Sequence, residues 1–142
     1  MPRVLTSLGT REVFHYVSQQ PGRPMWFGVG PQGQPVFGLP GNPVATLTCL
    51  IRYVVPAAAS AMGTAPAPPV SLPLAAAVKF SRALTRFLPV CVRWDELGRA
   101  AAVPRPTNGP GDFLALTGTD GFVELPPSEQ YPEGFLAPLY RW

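Results

Sequence analysis

Residues 37–45 read FGLPGNPVA, and this run predicts a buried strand, a rigid turn and the start of a helix, in that order. Its two glycines permit backbone angles or close approaches that a side chain would block. Its two prolines each fix a φ angle and remove an N–H donor. Asn42 is a good N-cap, and Pro43 suits the first position of a helix. Because a helix N-terminus attracts anions, the turn is either a plain connector, which turn chemistry alone favours, or one wall of an anion site.

Three short strands are expected before this run, and a long helix after it. Aromatic and β-branched residues predict strands at 12–18, 25–29 and 34–39, with turns at 19–24 and 30–33 between them. Apolar residues recur on one helical face from Val44 onwards, with a kink expected at Pro56 and a stop at Gly63. The first part of the chain is therefore predicted to be α/β.

A proline-rich segment, TAPAPP at residues 64–69, is expected to be a stiff linker to a second part of different character. Strand candidates follow at 72–80, 85–94, 100–104, 121–125 and 134–141, and turn residues separate them. Such spacing suggests a small β-barrel or sandwich. A glycine-rich loop is expected at 107–111, followed by one short helical turn at 112–116. The sequence thus predicts an α/β part at 1–63 and an all-β, barrel-like part at 70–142.

The composition sets limits on function. The chain has 142 residues, of which 46% are hydrophobic and 13% charged, so it can build a core and is not a disordered tail. The formal net charge of +3 is too small, and too evenly spread, to indicate nucleic-acid binding. Almost all of the positive charge is arginine, whose planar guanidinium binds phosphate and other oxyanions bidentately.

The two cysteines, Cys49 and Cys91, lie far apart in apolar surroundings and match no Cys/His metal spacing. We interpret both as buried thiols of a cytosolic protein, and a single disulfide is the alternative. The N-terminal residues lack the long apolar core of a signal peptide. Residues 53–78 carry no charge but contain five prolines and a glycine, which argues against a membrane helix.

Several segments, in order along the chain, resemble one family, the molybdopterin molybdenumtransferases (the MoeA and gephyrin E-domain group). The most specific is GLPGNPV at 38–44, which resembles the family's G-L-P-G-N-P-V signature. PGRPMWFG at 21–28 resembles its P-G-K/R-P-x-x-F-G strand, and Arg52 and Pro56 resemble its continuing helix. Residues 86–90, 108–113 and 120–126 resemble its C-terminal β domain. The resemblance implies the C-terminal part of a molybdopterin-binding α/β domain, followed by a small β-barrel-like domain.

The same resemblance implies a reaction. Such enzymes act in molybdenum cofactor biosynthesis, inserting molybdate into adenylylated molybdopterin with release of AMP, and Mg²⁺ is the implied cofactor. A cytoplasmic homodimer is implied, with the molybdopterin adenylyltransferase as a further partner; we expect neither a nucleic-acid nor a membrane partner. The family's pterin-binding loop has no counterpart here. We therefore expect a C-terminal fragment or a truncated reading frame that is inactive by itself.

The resemblance assigns no catalytic side chain or metal ligand to this chain, only residues that bind or orient the anionic substrate. The two prolines would form a rigid, dry wall against which molybdate is positioned. The guanidinium of Arg23 would bind molybdate or a phosphate of the adenylylated pterin. The expected substrate site comprises Arg23, Pro40, Gly41, Asn42, Pro43, Asn108, Gly109 and Gly111.

Two departures and several structural alternatives accompany this assignment. Gln20 stands where the family often has a second basic residue, and Pro110 stands where many members have a serine. Helix capping by the turn, an exposed loop arginine at Arg23 and a plain surface turn at 107–111 remain alternatives. Asp112 is expected to cap the turn that follows it.

Two other functions also remain open. The helix and the β domain would serve as a dimerisation or peptide-docking module. A weaker alternative is a nucleic-acid-binding β-barrel, which would show steeply salt-dependent binding. The large aromatic residues are expected in the core rather than on a base-stacking surface: Trp26, Phe27, Phe37, Phe87 and Trp94.

Overall fold

The computed structural model describes residues 2–105 and 113–142, and its strands form two sheets. The helices are α1 (Pro2–Ser7), α2 (Pro43–Cys49) and α3 (Val55–Ala61); a π-helical turn at Leu50–Val54 joins the last two, and Phe113–Leu116 is a 3-10 turn. The strands are β1 (Arg11–His15), β2 (Gln19–Gln20), β3 (Trp26–Val29), β4 (Pro35–Gly38), β5 (Val70–Pro73), β6 (Val78–Trp94), β7 (Ala100–Pro104), β8 (Gly121–Tyr131) and β9 (Leu136–Arg141). The content is mixed α/β first and all-β afterwards, which confirms the predicted fold class.

The first sheet is antiparallel, with the order β1-β3-β4. Its central strand carries Trp26, which is 3% exposed and donates from Nε1 to a carboxylate oxygen of Glu12 at 2.6 Å. On the other face, the ring of Phe27 lies between the rings of Phe14 and Phe37, at centroid distances of 5.5 and 5.0 Å. The end of β4 delivers the chain into the turn that precedes α2.

The helix begins as the sequence predicts. Asn42 is the N-cap, and its side-chain oxygen accepts from the backbone N–H of Ala45 at 3.0 Å. Where a kink is predicted at Pro56, the structure has a π-helical turn just before that residue, in which the N–H of Val55 donates to the carbonyl of Leu50. Proline has no N–H and crowds the carbonyl four residues earlier, so the hydrogen-bonding ladder widens there.

The combined helix Pro43–Ala61 is long and apolar enough to cross a membrane by length and composition alone. Of its most apolar stretch, 22% is buried. One helix of this kind is weak evidence for a membrane location.

The second sheet has the order β2-β6-β8-β9-β5. The remaining strand, β7, pairs with the C-terminal end of β6, at residues 90–94. Along this hydrogen-bonded path the second sheet is an open sheet rather than a closed barrel. One isolated bridge joins Leu74 to Ala102, and the N–H of Ala75 donates to the carbonyl of Ala102 at 2.9 Å. These contacts bring the end of β5 to β7, so the sheet curls around an apolar core that includes Leu74, Val90, Val123, Leu125 and Ala137.

The longest strand, β6, differs from the expectation. Residues 78–94 form one strand of 17 residues, whereas two strands, 72–80 and 85–94, were predicted. Its pairing with β8 shifts register between Lys79 and Leu84 and again between Leu84 and Arg86. Such irregularities let one strand bend around a core without ending. The turn at 75–77 instead falls inside the first predicted strand.

The two parts of the chain also share a sheet. Residues 19–24 were predicted to be a turn, but Gln19 and Gln20 form β2, which pairs in parallel with Thr85 and Arg86 of β6. A two-residue strand has no periodicity of its own, so local sequence could not identify it. A second link is the ion pair between Arg52 of the π-helical turn and Glu124 of β8, at 2.8 Å.

The core predictions are mostly confirmed. Trp26 and Phe87 are buried, and Phe27 and Phe37 are partly buried. Trp94 was predicted to be in the core, and this is wrong: it is 67% exposed. It is the last residue of β6, beside the turn that leads into β7, where its side chain extends beyond the packed part of the sheet. Both cysteines are free and buried, as expected.

Candidate functional site

A pocket of 640 Å³ lies where the two parts of the chain meet. Three segments line it: the loop 19–24, the turn and helix start at 40–42 and 44–45, and β6 at 79–81 and 86–89. This volume lies within the range of about 300–1,000 Å³ that is common for small-molecule sites. The pocket exists because β2 pairs with β6, which holds the loop after β2 against the second sheet.

The loop 19–24 is fixed from behind by the helix. Gln19 is 3% exposed; its Nε2 donates to the carbonyl of Pro21 at 3.1 Å and contacts the Sγ of Cys49 at 3.6 Å, while its Oε1 accepts from the hydroxyl of Tyr53. Gly22 has φ +97°, and a Cβ there would lie 2.6 Å from Nε2 of Gln19 and 2.7 Å from Sγ of Cys49. Only glycine fits this close approach, so the loop has one well-defined path.

The same buried cluster keeps its groups neutral. Burial raises the pKa of the Cys49 thiol to about 11, although the hydrogen bond from Gln19 lowers it. Burial also raises the pKa of Tyr53 to about 12. Neither group is ionised near neutral pH, so the cluster behind the loop supports the pocket without adding charge to it.

The turn at 40–42 forms the second wall. Pro40 is buried, and its carbonyl accepts from the hydroxyl of Thr46. That hydroxyl also contacts the carbonyl of Asn42 at 2.9 Å. These bonds tie the turn to the first turn of α2, and they leave a rigid wall of low polarity at Pro40 and Gly41.

The third wall comes from β6 and carries a buried arginine. Arg86 is 7% exposed, and its guanidinium carbon lies 4.4 Å from the ring centroid of Phe80. One terminal nitrogen donates to the carbonyl of Arg82 at 3.4 Å. Its Nε is buried and has no hydrogen-bond partner within the described part of the chain. Burial lowers the pKa of Arg86, because the charged form loses solvation there.

The charges around the pocket are all of one sign. Arg23 and Lys79 are exposed residues of the lining, and Arg86 is its buried cation. No Asp or Glu lines the pocket among the described residues, and no ion pair of these three cations is found there. Three cations converging on a partly apolar cavity suit a ligand that carries oxyanion groups.

The structure brings together part of the predicted substrate site. Arg23, Pro40, Gly41 and Asn42 line the pocket. Pro43 is exposed, starts α2 and is absent from the described lining. Asn108, Gly109 and Gly111 lie outside the described residues, as do Pro110 and Asp112.

Sequence reasoning missed the contribution of β6. Lys79 and Arg86 line the pocket, yet both lie beyond the predicted linker, far from the turn in sequence. The available signal was weak: Arg86 is a single charge directly before the apolar run FLPVCV at 87–92. A charge at the start of an apolar strand is equally consistent with a solvated strand end.

The described residues do not fit a Mg²⁺ site. No group of three His, Cys, Asp or Glu that could hold a metal ion occurs in residues 2–105 and 113–142. Mg²⁺ prefers carboxylate and phosphate oxygens, and the pocket presents cations and amides instead.

Comparisons with known proteins match the chain along nearly its whole length. The family profile described as "Probable molybdopterin binding domain" matches residues 1–60, and the one described as "MoeA C-terminal region (domain IV)" matches residues 71–142. The molybdopterin molybdenumtransferase of Synechocystis sp. is 37% identical over 144 residues, covering 100% of this chain and 34% of its own length. The enzyme of the same name from Synechococcus elongatus is 34% identical over 88 residues, covering 61% of this chain and 22% of its own length.

Solved structures agree. The molybdopterin biosynthesis MoeA protein from Pyrococcus horikoshii superposes with a TM-score of 0.78 at 32% identity, covering 99% of this chain and 34% of that one. A molybdenum cofactor biosynthesis protein from Pyrococcus furiosus superposes with a TM-score of 0.69 at 27% identity, covering 92% of this chain and 46% of that one. The chain thus spans about a third of the length of the relatives that it matches most fully.

Proposed function

This chain belongs to the MoeA family of molybdopterin molybdenumtransferases, and from that membership we propose that it supplies one wall of the site where molybdate is inserted into adenylylated molybdopterin. The complete enzyme would act in molybdenum cofactor biosynthesis. The observation that carries the proposal is the pocket lined by residues 19–24, 40–42, 44–45, 79–81 and 86–89, whose lining combines three cations with a rigid wall that contains Pro40 and Gly41.

The role of this wall is to bind and orient anions. Molybdate and the phosphates of the adenylylated pterin are all oxyanions, and arginine and lysine side chains bind such groups through charge-assisted hydrogen bonds. The buried Pro40 supports a fixed position for the ligand. Its ring fixes the backbone φ angle, and the hydrogen bond from Thr46 holds the turn in place. Holding two anions close together against their repulsion lowers the barrier to their reaction.

Several finer assignments follow from the family rather than from contacts on this chain. We propose the division into 1–63, a linker at 64–69 and 70–142, which the matched ranges 1–60 and 71–142 support. Pro43, Asn108, Gly109 and Gly111 remain proposed members of the site. Mg²⁺ and the molybdopterin adenylyltransferase partner also remain proposals. A cytoplasmic location is supported by the two free, buried cysteines.

A hybrid enzyme tests the proposal. In the Synechocystis relative, the segment aligned with this chain would be replaced by residues 1–142, and the hybrid expressed in a strain that lacks its own molybdopterin molybdenumtransferase. We expect molybdoenzyme activity to return, and expression of the intact relative serves as the positive control. A hybrid that accumulates as folded protein, yet restores no activity, would reject the proposed function. The 142-residue chain alone is expected to give no turnover.

A homodimer is the second candidate role, and the helix supports it. Leu50, Val55 and Met62 are 36%, 48% and 79% exposed, so the helix Pro43–Ala61 and the residue after it present apolar surface that is not covered within the described part of the chain. Large apolar side chains exposed on one helix favour contacts with another protein surface. Sedimentation of the purified chain over a range of concentrations checks this: a strict monomer at the highest concentration contradicts self-association.

A further inference from the structure

Arg86 is a buried cation without a counter-ion in the described part of the chain. It is 7% exposed, it lines the pocket, and its Nε lacks a hydrogen-bond partner among the described residues. Burying a charge without a partner is costly. Strongly desolvated ionisable groups in a cleft are therefore candidates for a functional role. We take the missing counter-ion to be the ligand.

The side chain is also held in place. Its guanidinium stacks over Phe80 at 4.4 Å, and a terminal nitrogen donates to the carbonyl of Arg82 at 3.4 Å. These contacts use one terminal nitrogen of the planar fork, so other N–H donors of the guanidinium remain for a ligand, although Nε itself is enclosed. A cation fixed in this way loses little entropy when it binds an anion, whereas the exposed Arg23 and Lys79 must still be ordered.

We propose that Arg86 is the principal anion-binding residue of this pocket, donating guanidinium N–H groups to an oxyanion or phosphate group of the ligand, with Arg23 and Lys79 as the cations at the rim. This rests on the proposed function and extends it, because it adds a residue from the second sheet to the substrate site. Gln20, which stands where the family often has a basic residue, is in register with Arg86, so the adjacent strand carries a positive charge at this position.

The ligand chemistry is a multiply charged oxyanion, either free or attached to an organic group. The pocket volume of 640 Å³ and the apolar residues Phe80, Phe87 and Leu88 in its lining favour an organic phosphate over a small inorganic ion. Both sources share the same contact with Arg86, so they are distinguished by affinity rather than by which residue binds.

Calorimetric titration of the purified 142-residue chain at low ionic strength tests the proposal. The probes are inorganic phosphate, molybdate and AMP, with adenosine as the uncharged control. We expect Arg86→Gln to weaken binding of each anion by about tenfold or more, the loss of one charge-assisted hydrogen bond. Arg93→Gln is the matched control: it removes one charge from an exposed position on the same strand, outside the pocket lining, and should leave affinity unchanged.

The relative affinities for AMP and inorganic phosphate also show whether the ligand is an organic phosphate or a free oxyanion. AMP binding more tightly than phosphate indicates an organic phosphate, and equal affinity indicates a free oxyanion; both support the proposal. Three results overturn it: no anion binding by the wild-type chain, unchanged affinity in Arg86→Gln, or an equal loss in Arg93→Gln. If only Arg23→Gln and Lys79→Gln weaken binding, the pocket still binds anions, so the proposed function survives and this inference fails.

A spectroscopic measurement on the unmutated chain guards against misfolding of the variant. The Nε–Hε signal of Arg86, assigned with Arg86→Lys, should shift in ¹⁵N-correlated NMR spectra on addition of phosphate, because an anion bound to the guanidinium changes the electronic environment of that nitrogen. The corresponding signal of Arg93 should stay in place. A stationary Arg86 signal in a sample that binds phosphate overturns the proposal, and the activity of the hybrid enzyme has no bearing on this result.

Discussion

Gln20 and Arg86 face each other across the parallel pairing of β2 with β6. The pair joins the α/β part of the chain to the β-rich part, and it aligns an exposed, neutral residue with a buried arginine. The loop that follows Gln20 then closes over the pocket that Arg86 lines. The geometry of the site therefore depends on this two-residue pairing of β2 with β6, which we call the seam, more than on either sheet alone.

Replacing Arg86 with methionine should separate stability from binding. Methionine keeps an apolar stem against Phe80 and removes a buried charge that has no carboxylate partner among the described residues. We expect the free energy of unfolding to rise by about 1 kcal/mol in anion-free buffer, while binding of phosphate is lost. Urea denaturation measures the first effect. A fall of the same size would mean that the guanidinium stabilises the free protein.

Gly22 is expected to be the least replaceable glycine of the site. Its φ of +97° disfavours alanine, and a Cβ would contact Gln19 and Cys49 at 2.6 and 2.7 Å. We expect Gly22→Ala to lower the free energy of unfolding by about 2 kcal/mol or more, because backbone strain and a steric clash both act on the new methyl group. Gly33→Ala is the control: φ is +80° there but the space is open, so about 1 kcal/mol is expected. Equal losses in thermal denaturation would contradict the proposed close approach.

The ion pair of Arg52 with Glu124 should couple the helix to the second sheet. The nitrogen and oxygen are 2.8 Å apart, the side chains are 33% and 23% exposed, and the guanidinium lies 5.2 Å from the ring centroid of Tyr140. A double-mutant cycle with Arg52→Met and Glu124→Gln should give a coupling energy of about 1 kcal/mol, discounted for partial exposure. Arg99 and Asp95, an exposed pair on one turn, should give a smaller value. Equal coupling energies would reject the structural importance of the Arg52 pair.

Alkaline pH should destabilise the chain through the cluster behind the pocket. Burial raises the pKa of Cys49 from 9.0 to about 11 and that of Tyr53 from 10.0 to about 12. The unfolded chain releases these protons first, so the stability is fully present below pH 9 and falls as the pH rises towards 12. Thermal denaturation from pH 8 to 11 measures the slope. Cys49→Val removes one of the two groups and should flatten it; an unchanged slope would exclude Cys49 as a cause.

The turn before α2, at residues 39–42, shows how much of the structure can be predicted from local sequence. The N-cap at Asn42 and the helix start at Pro43 follow from the shapes and donors of those residues alone, and the structure has both. The two family profiles confirm the family resemblance. Its most specific signature could be recognised in the sequence because it is also local, a run of seven residues at 38–44.

The parts that sequence reasoning missed are non-local. β2 has two residues and exists only because β6 lies beside it. Arg86 enters the site because that pairing aligns positions 20 and 86, and no spacing rule connects residues so far apart. Trp94 was assigned to the core by its size, yet its exposure depends on where the neighbouring strands stop. Partner strands and their ends, rather than residue types, determine these outcomes.

The seam at Gln19 and Gln20 also limits how the chain can be divided. A cut in the proline-rich segment 64–69 would appear to release two units, but residues 70–142 alone would leave the edge of β6 at Thr85 and Arg86 without its neighbour. An open strand edge recruits another strand, so the isolated β-rich piece should pair with copies of itself. Any recombination of these parts between relatives must carry the dipeptide before Pro21 together with a matching β6.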